Sequence, residues 1–118
     1  MAIISRGLGF VVASYTATAA ALPLDLGFIP SKAEGDVTTA PYKHWDWSNG
    51  MSGATGGTAL VFGVIATASG HSALIAPGAG GITTLDGSAG TGIGLTIGTD
   101  TTINTAGDAW IVTAWEAH

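Results

Sequence analysis

Turn signals interrupt this sequence about every 8–12 residues, the spacing at which short strands and turns alternate in sandwiches and barrels. Asn49-Gly50 is the strongest of them, because a two-residue hairpin turn needs positive φ at its central positions. Pro77-Gly78 and Asp86-Gly87 close two further segments. No stretch carries apolar residues at convincing helical spacing. We therefore predict an all-β fold, an antiparallel sandwich or a jelly-roll-like barrel.

Between the turns, residue character alternates with the period of two that is typical of strands. The alternation predicts His44 and Asp46 on one face of their strand, with Trp45 and Trp47 on the other. Gly35 is a possible bulge, because glycine inside a strand often marks one. The predicted strands are Leu8–Tyr15, Lys32–Val37, Tyr42–Trp47, Thr58–Ala66, His71–Ala76, Gly80–Gly87, Ile93–Ile97 and Ala109–Glu116.

The chain is predicted to have two parts, an extended N-terminal arm or first strand over residues 1–21 and a β-domain over 22–118. The first part also imitates a secretory signal peptide, with Arg6 before apolar Leu8–Ala13 and an Ala19–Ala21 run. Polar residues dilute its apolar core, so we expect the segment to be retained. The longest later apolar run, Thr58–Ala68, is about half of the roughly 20 residues that span a bilayer, so no membrane partner is expected.

Charge and composition exclude several classes of protein. Three Lys and Arg against eight Asp and Glu give a net charge of −5, which is the wrong sign for a nucleic-acid partner. The absence of cysteine excludes disulfides and every cysteine-based metal or redox site. At 47% hydrophobic residues, the chain is also too apolar for charge-rich disorder.

No pattern predicts catalysis, a metal or a cofactor. His44 and Asp46 project the same way from a strand, but the further metal ligands would have to come from distant His71 or terminal His118. We expect a solvent-facing His–Asp pair instead. The glycine runs 78–81 and 90–94 lack both the dinucleotide spacing and a lysine. The carboxylates occur singly, mostly beside turns, and no nucleophile elbow is present. We therefore predict a protein that is not an enzyme.

The aromatic residues point to contacts between subunits. The chain has four Trp in 118 residues, and only 9% of its residues are charged. Its many small side chains offer little apolar area to bury, so we expect part of its stability to come from burial against a partner. We predict an obligate homo-oligomer or a lattice-bound subunit in which part of the Trp set is buried at the interface. The predicted interface residues are Leu8, Phe10, Val11, Val12, Tyr42, Trp45, Trp47, Trp110 and Trp115.

Several segments resemble small virion structural proteins of tailed bacteriophages. The similarity covers residues 24–118 and lies in the order and rough spacing of turn-rich segments. Where the family pattern has an apolar strand, residues 34–41 are polar instead. The segments are Leu24–Lys32, Trp45–Met51, Gly81-Ile82 with Leu85–Gly87, Ile97–Asn104, and Ala106–Asp108.

The resemblance implies a non-enzymatic capsid decoration, or cement, protein. Such a subunit is made in the host cytoplasm, sits on the capsid surface and binds the major capsid protein and copies of itself as a trimer or other cyclic oligomer. We expect the N-terminal arm to reach across a subunit boundary, anchored by Leu8, Phe10, Val11 and Val12. The alternative is a tail-tip or fibre module that binds host glycans through Tyr42, Trp45 and Trp47.

Overall fold

The computed structural model describes residues 1–39, 43–49, 61–64, 72–75, 80–101 and 103–116. These residues contain ten strands and no helix, which confirms the all-β prediction. No helix in the described ranges is long and apolar enough to cross a membrane. The strands are β1 (Ala2–Gly7), β2 (Phe10–Thr16), β3 (Leu22–Asp25), β4 (Lys32–Val37), β5 (His44–Ser48), β6 (Val61–Val64), β7 (Ser72–Ile75), β8 (Thr83–Asp86), β9 (Ile93–Ile97) and β10 (Ala109–Trp115).

The strands form two antiparallel sheets, consistent with a sandwich and not with a closed barrel. The large sheet has the order β1-β2-β10-β4-β5-β6-β7, and the small sheet has the order β3-β9-β8. Apolar residues from both sheets form one buried cluster. Strands β2, β4, β5 and β10 alternate strictly between buried residues and half-buried or exposed ones. The large sheet therefore has an inner face on the core and an outer face that points away from it.

Large and small residues are matched across the inner face. Trp45 lies opposite Gly35, and Trp47 lies opposite Ala33. A Cβ at Gly35 would collide with the Trp45 indole, so glycine is needed here for close packing. Gly35 keeps regular register with both neighbouring strands. The suggested bulge at this position is therefore wrong, and the small residues instead make room for the indoles.

Residues 1–21 do not form an arm that is separate from the domain. Residues 2–16 form a hairpin in which Leu8 and Gly9 make the turn and β2 pairs with both β1 and β10, and residues 17–21 lead on to β3. Val11 and Ala13 are fully buried. Of the two predicted alternatives, the strand is therefore the one observed, and only β1, whose six residues are all exposed, extends beyond the core.

A fully buried asparagine holds the connection between the two sheets. The Oδ1 atom of Asn104 accepts hydrogen bonds from the backbone N–H groups of Thr18 and Ala19, both at 3.0 Å. Its Nδ2 atom donates to the carbonyls of Ala20 and Gly98 at 2.7 and 2.8 Å. The amide thus supplies hydrogen-bond partners to the backbone groups of the segment that connects β2 to β3, in which Ala19 has a positive φ of 67°.

Candidate functional site

The predicted interface residues fall into three groups in the structure. Trp45, Trp47, Trp110 and Val11 are at most 1% exposed and belong to the core of a single chain. Tyr42 lies outside the described residues, as do His71 and His118 among the other candidates. The remaining residues, Leu8, Phe10, Val12 and Trp115, lie on the hairpin turn or on the outer face.

Three of the four indoles predicted for the interface, those of Trp45, Trp47 and Trp110, are buried within their own chain, and the fourth, that of Trp115, is half-buried on the outer face. Trp45 donates a hydrogen bond from Nε1 to the Tyr15 hydroxyl at 3.3 Å, and that hydroxyl donates to the carbonyl of Ile103 at 3.1 Å. Trp110 stacks on Tyr15 with ring centroids 6.0 Å apart. Burial is also the main cause of a Tyr15 pKa well above its usual range. Because these rings are buried against their own chain, they are not available to a subunit or a glycan.

Among the residues that the structure describes, the most exposed apolar ones lie on the N-terminal hairpin, which is β1 and β2 with the Leu8-Gly9 turn. Leu8 at its tip is 101% exposed, and Ile4 is 56% exposed. The register with β2 shifts between Ile3 and Ser5, so Ile4 sits at an irregularity in the pairing. Exposed aliphatic side chains clustered on one projecting element are typical of a protein contact surface.

The outer face of the large sheet has an apolar half and a charged half. On the apolar half, Phe10 lies directly opposite Trp115, and Val12 lies opposite Thr113. Lys32 joins the two halves, with its Nζ 4.8 Å from the centroid of the Trp115 ring. The charged half consists of alternate residues of β4 and β5, which are Lys32, Glu34 and Asp36 on β4 and His44 and Asp46 on β5.

His44 bridges two carboxylates on this charged half. Its Nδ1 atom lies 2.8 Å from Asp36 Oδ1, and its Nε2 atom lies 3.1 Å from Asp46 Oδ1. A neutral imidazole has one donor and one acceptor, so two ionised carboxylates are satisfied only by the protonated ring. Partial burial works against the charge, but hydrogen bonds to Asp36 and Asp46 outweigh it and raise the pKa of His44 above its ordinary value.

This arrangement is an ion cluster that joins β4 to β5 and gives no sign of a metal centre. Both ring nitrogens of His44 already face carboxylate oxygens and have no free lone pair for a cation. Within the described part of the chain, no group of three or more histidine and acidic side chains could hold a metal ion. Sequence analysis found His44 and Asp46 but missed Asp36, although the neighbouring predicted strands 32–37 and 42–47 could have suggested that pairing.

A second ion pair lies beside the start of β10. Lys43 Nζ lies 2.8 Å from Asp108 Oδ2, and both side chains are largely buried. The same Nζ lies 3.3 Å from the Thr105 hydroxyl. This pair ties the residue before β5 to the turn before β10, so its role in the geometry is to hold the fold together.

Comparison with known proteins identifies no related protein. No family model, curated protein or solved structure matches the chain.

Proposed function

We propose that this chain is a non-enzymatic virion structural protein that decorates and stabilises a phage capsid. The observation that carries the proposal is the N-terminal hairpin, which presents aliphatic side chains to solvent beside a cluster of apolar residues that are buried within one chain. Met1, Ile3, Ile4 and Leu8 are 47%, 41%, 56% and 101% exposed. Because these side chains contribute little to the core of their own chain, contact with another subunit is the role that best accounts for them.

The partner class comes from the sequence resemblance to small virion proteins. A decoration subunit that binds only the assembled shell stabilises that shell by mass action. It needs a rigid body and a protruding contact element rather than a reactive site. The described ion clusters, around His44 and between Lys43 and Asp108, both join strands, and we assign neither of them a catalytic role.

The glycan-binding alternative depended on aromatic rings at the surface. Two of its three residues, Trp45 and Trp47, are at most 1% exposed. A sugar platform needs an accessible ring face, which these indoles do not offer. We therefore favour the decoration role over the glycan-binding role.

The proposal is tested by tagging the chain in its native genome and purifying phage particles on a density gradient. The tagged chain is expected to co-sediment with full particles in a fixed copy number. Leu8→Asp is expected to reduce that copy number strongly without changing the thermal unfolding midpoint, since Leu8 touches little of its own chain. Ala106→Asp, in an exposed turn at the other end of β2, is the matched control. Particles that lack the chain, or that carry Leu8→Asp at wild-type copy number, would contradict the proposal.

A further inference from the structure

The two surfaces described above have opposite charge. The hairpin carries Arg6 as its one charged side chain, so it is positive in a chain whose net charge is −5. The outer face carries Glu34, Asp36 and Asp46 beside its apolar half. A positive apolar element and a negative apolar face within one chain are complementary to each other in two copies of that chain.

Arg6 differs from the other two basic side chains in having no carboxylate partner within the described chain. Lys32 pairs with Glu34 at 3.6 Å, and Lys43 pairs with Asp108 at 2.8 Å. Arg6 makes no ion pair with a described carboxylate, and its guanidinium lies beside the backbone of Gly27. A guanidinium left without a carboxylate at the base of an exposed apolar turn suits a contact with an acidic surface.

The charged half of the outer face has three carboxylates, and only Lys32 and the His44 ring can balance their negative charge. Glu34 and Asp46 lie directly opposite each other on neighbouring strands. Like charges in that position destabilise a sheet. Lys32 reaches Glu34 only at 3.6 Å, with both side chains well exposed. A cation supplied from outside would relieve this repulsion.

We propose that the hairpin of one copy docks on the outer face of the next. Leu8 would pack on the apolar half beside Phe10 and Trp115, while Arg6 would reach Glu34 and Asp46. The spacings are compatible, since Arg6 near the end of β1 and Leu8 in the turn are at most roughly 7 Å apart along the chain. One strand spacing plus two residues separate Trp115 from Glu34, roughly 8 Å. The contact is heterologous, so its repetition closes a ring when the rotation permits.

The docking proposed here deepens the proposed function and rests on its self-association. It also explains how hairpin variants would lose capsid binding, because a ring engages the shell at several points and a monomer at only one.

Size-exclusion chromatography with light scattering of the full chain tests the docking without any capsid. The wild type is expected to form a discrete multiple of 11.6 kDa at micromolar concentration. Arg6→Glu and Glu34→Arg should each weaken association about tenfold or more, because each places like charges across the contact. The double variant should regain most of the lost affinity. Ala106→Glu, which adds charge in the exposed turn remote from the hairpin tip, should leave the mass unchanged.

Several results would overturn the docking. They are a monomeric wild type, an Arg6→Glu variant that associates normally, and a double variant no better than either single one. Tighter association of Arg6→Glu would also overturn it. Capsid occupancy separates the two proposals. A ring that does not bind particles contradicts only the proposed function, and a monomeric subunit bound to particles contradicts only the docking.

Discussion

Replacing Asn104 by Asp is expected to destabilise the fold far more than its small change in shape suggests. The carboxylate keeps the acceptor that Thr18 and Ala19 use, but it loses both donors. The carbonyls of Ala20 and Gly98 then lie 2.7 and 2.8 Å from an oxygen instead of an N–H group. Each of these partly buried carbonyls left without a donor costs roughly 1–3 kcal/mol, so the expected loss for the two is about 2–6 kcal/mol of unfolding free energy.

Thermal and urea unfolding measure this loss. For a chain of this size, a loss of about 2–6 kcal/mol corresponds to a fall of the unfolding midpoint by roughly 6–30 °C. The loss should also depend on pH. Once protonated, the new carboxyl group of the Asn104→Asp variant can donate to one of the two carbonyls, so its pKa is higher in the folded chain than in the unfolded one. The loss of unfolding free energy relative to the wild type is therefore smallest in acid. It grows as pH rises from the unfolded pKa of about 4 through the folded pKa of the new carboxyl group.

The exposed residue Asn49 provides the matched control. Asn49→Asp makes the same chemical change where the side chain faces solvent, and its unfolding free energy is expected to stay within about 0.5 kcal/mol of the wild type. A loss at Asn104→Asp no larger than at Asn49→Asp would refute the role of the buried amide. So would a large loss that does not change between acid and neutral pH.

The ion cluster and the core give three more predictions. The raised pKa of His44 means that the protonated ring stabilises the fold fully below the unfolded pKa of about 6.5, and that this stabilisation is lost as pH rises through the folded pKa. His44→Gln should therefore narrow the difference in stability between acid and alkaline pH in urea titrations, and an unchanged difference would contradict the cluster. Gly35→Ala should cost about 1–3 kcal/mol by forcing its methyl group against the buried Trp45 indole, and an unchanged unfolding midpoint would refute that packing. Trp45→Ala should cost about 3–5 kcal/mol and half-buried Trp115→Ala clearly less, so equal losses in thermal unfolding would be inconsistent with the two faces described here.

The alternation of residues within strands is a reliable guide to this fold. It predicts the opposite faces of β5 because a period of two leaves little choice once one face is buried. It does not predict which face is buried more deeply, or whether that face packs against the same chain or against another subunit. The sequence places Trp45 and Trp47 at an interface because it shows large rings without showing that Gly35 and Ala33 lie opposite them.

Contacts between distant parts of the chain account for most of what sequence analysis misses. Asn104 lies 84 residues from Ala20, and no local pattern marks an asparagine that is buried in a loop crossing. The pairing of Asp36 with His44 depends on the register of β4 against β5, which only the folded sheet sets. The sequence of the N-terminal segment suggests an arm or a first strand. In the structure its second strand lies between β1 and β10, and Val11 and Ala13 on that strand face the core.

The location of the chain in an intact particle is the most direct test of the central claim. A cryo-electron microscopy reconstruction of particles purified with the tagged chain is expected to show it on the outer surface of the shell, with each hairpin seated on a neighbouring copy. Density for isolated copies whose hairpins touch neither another copy nor the shell would contradict the account.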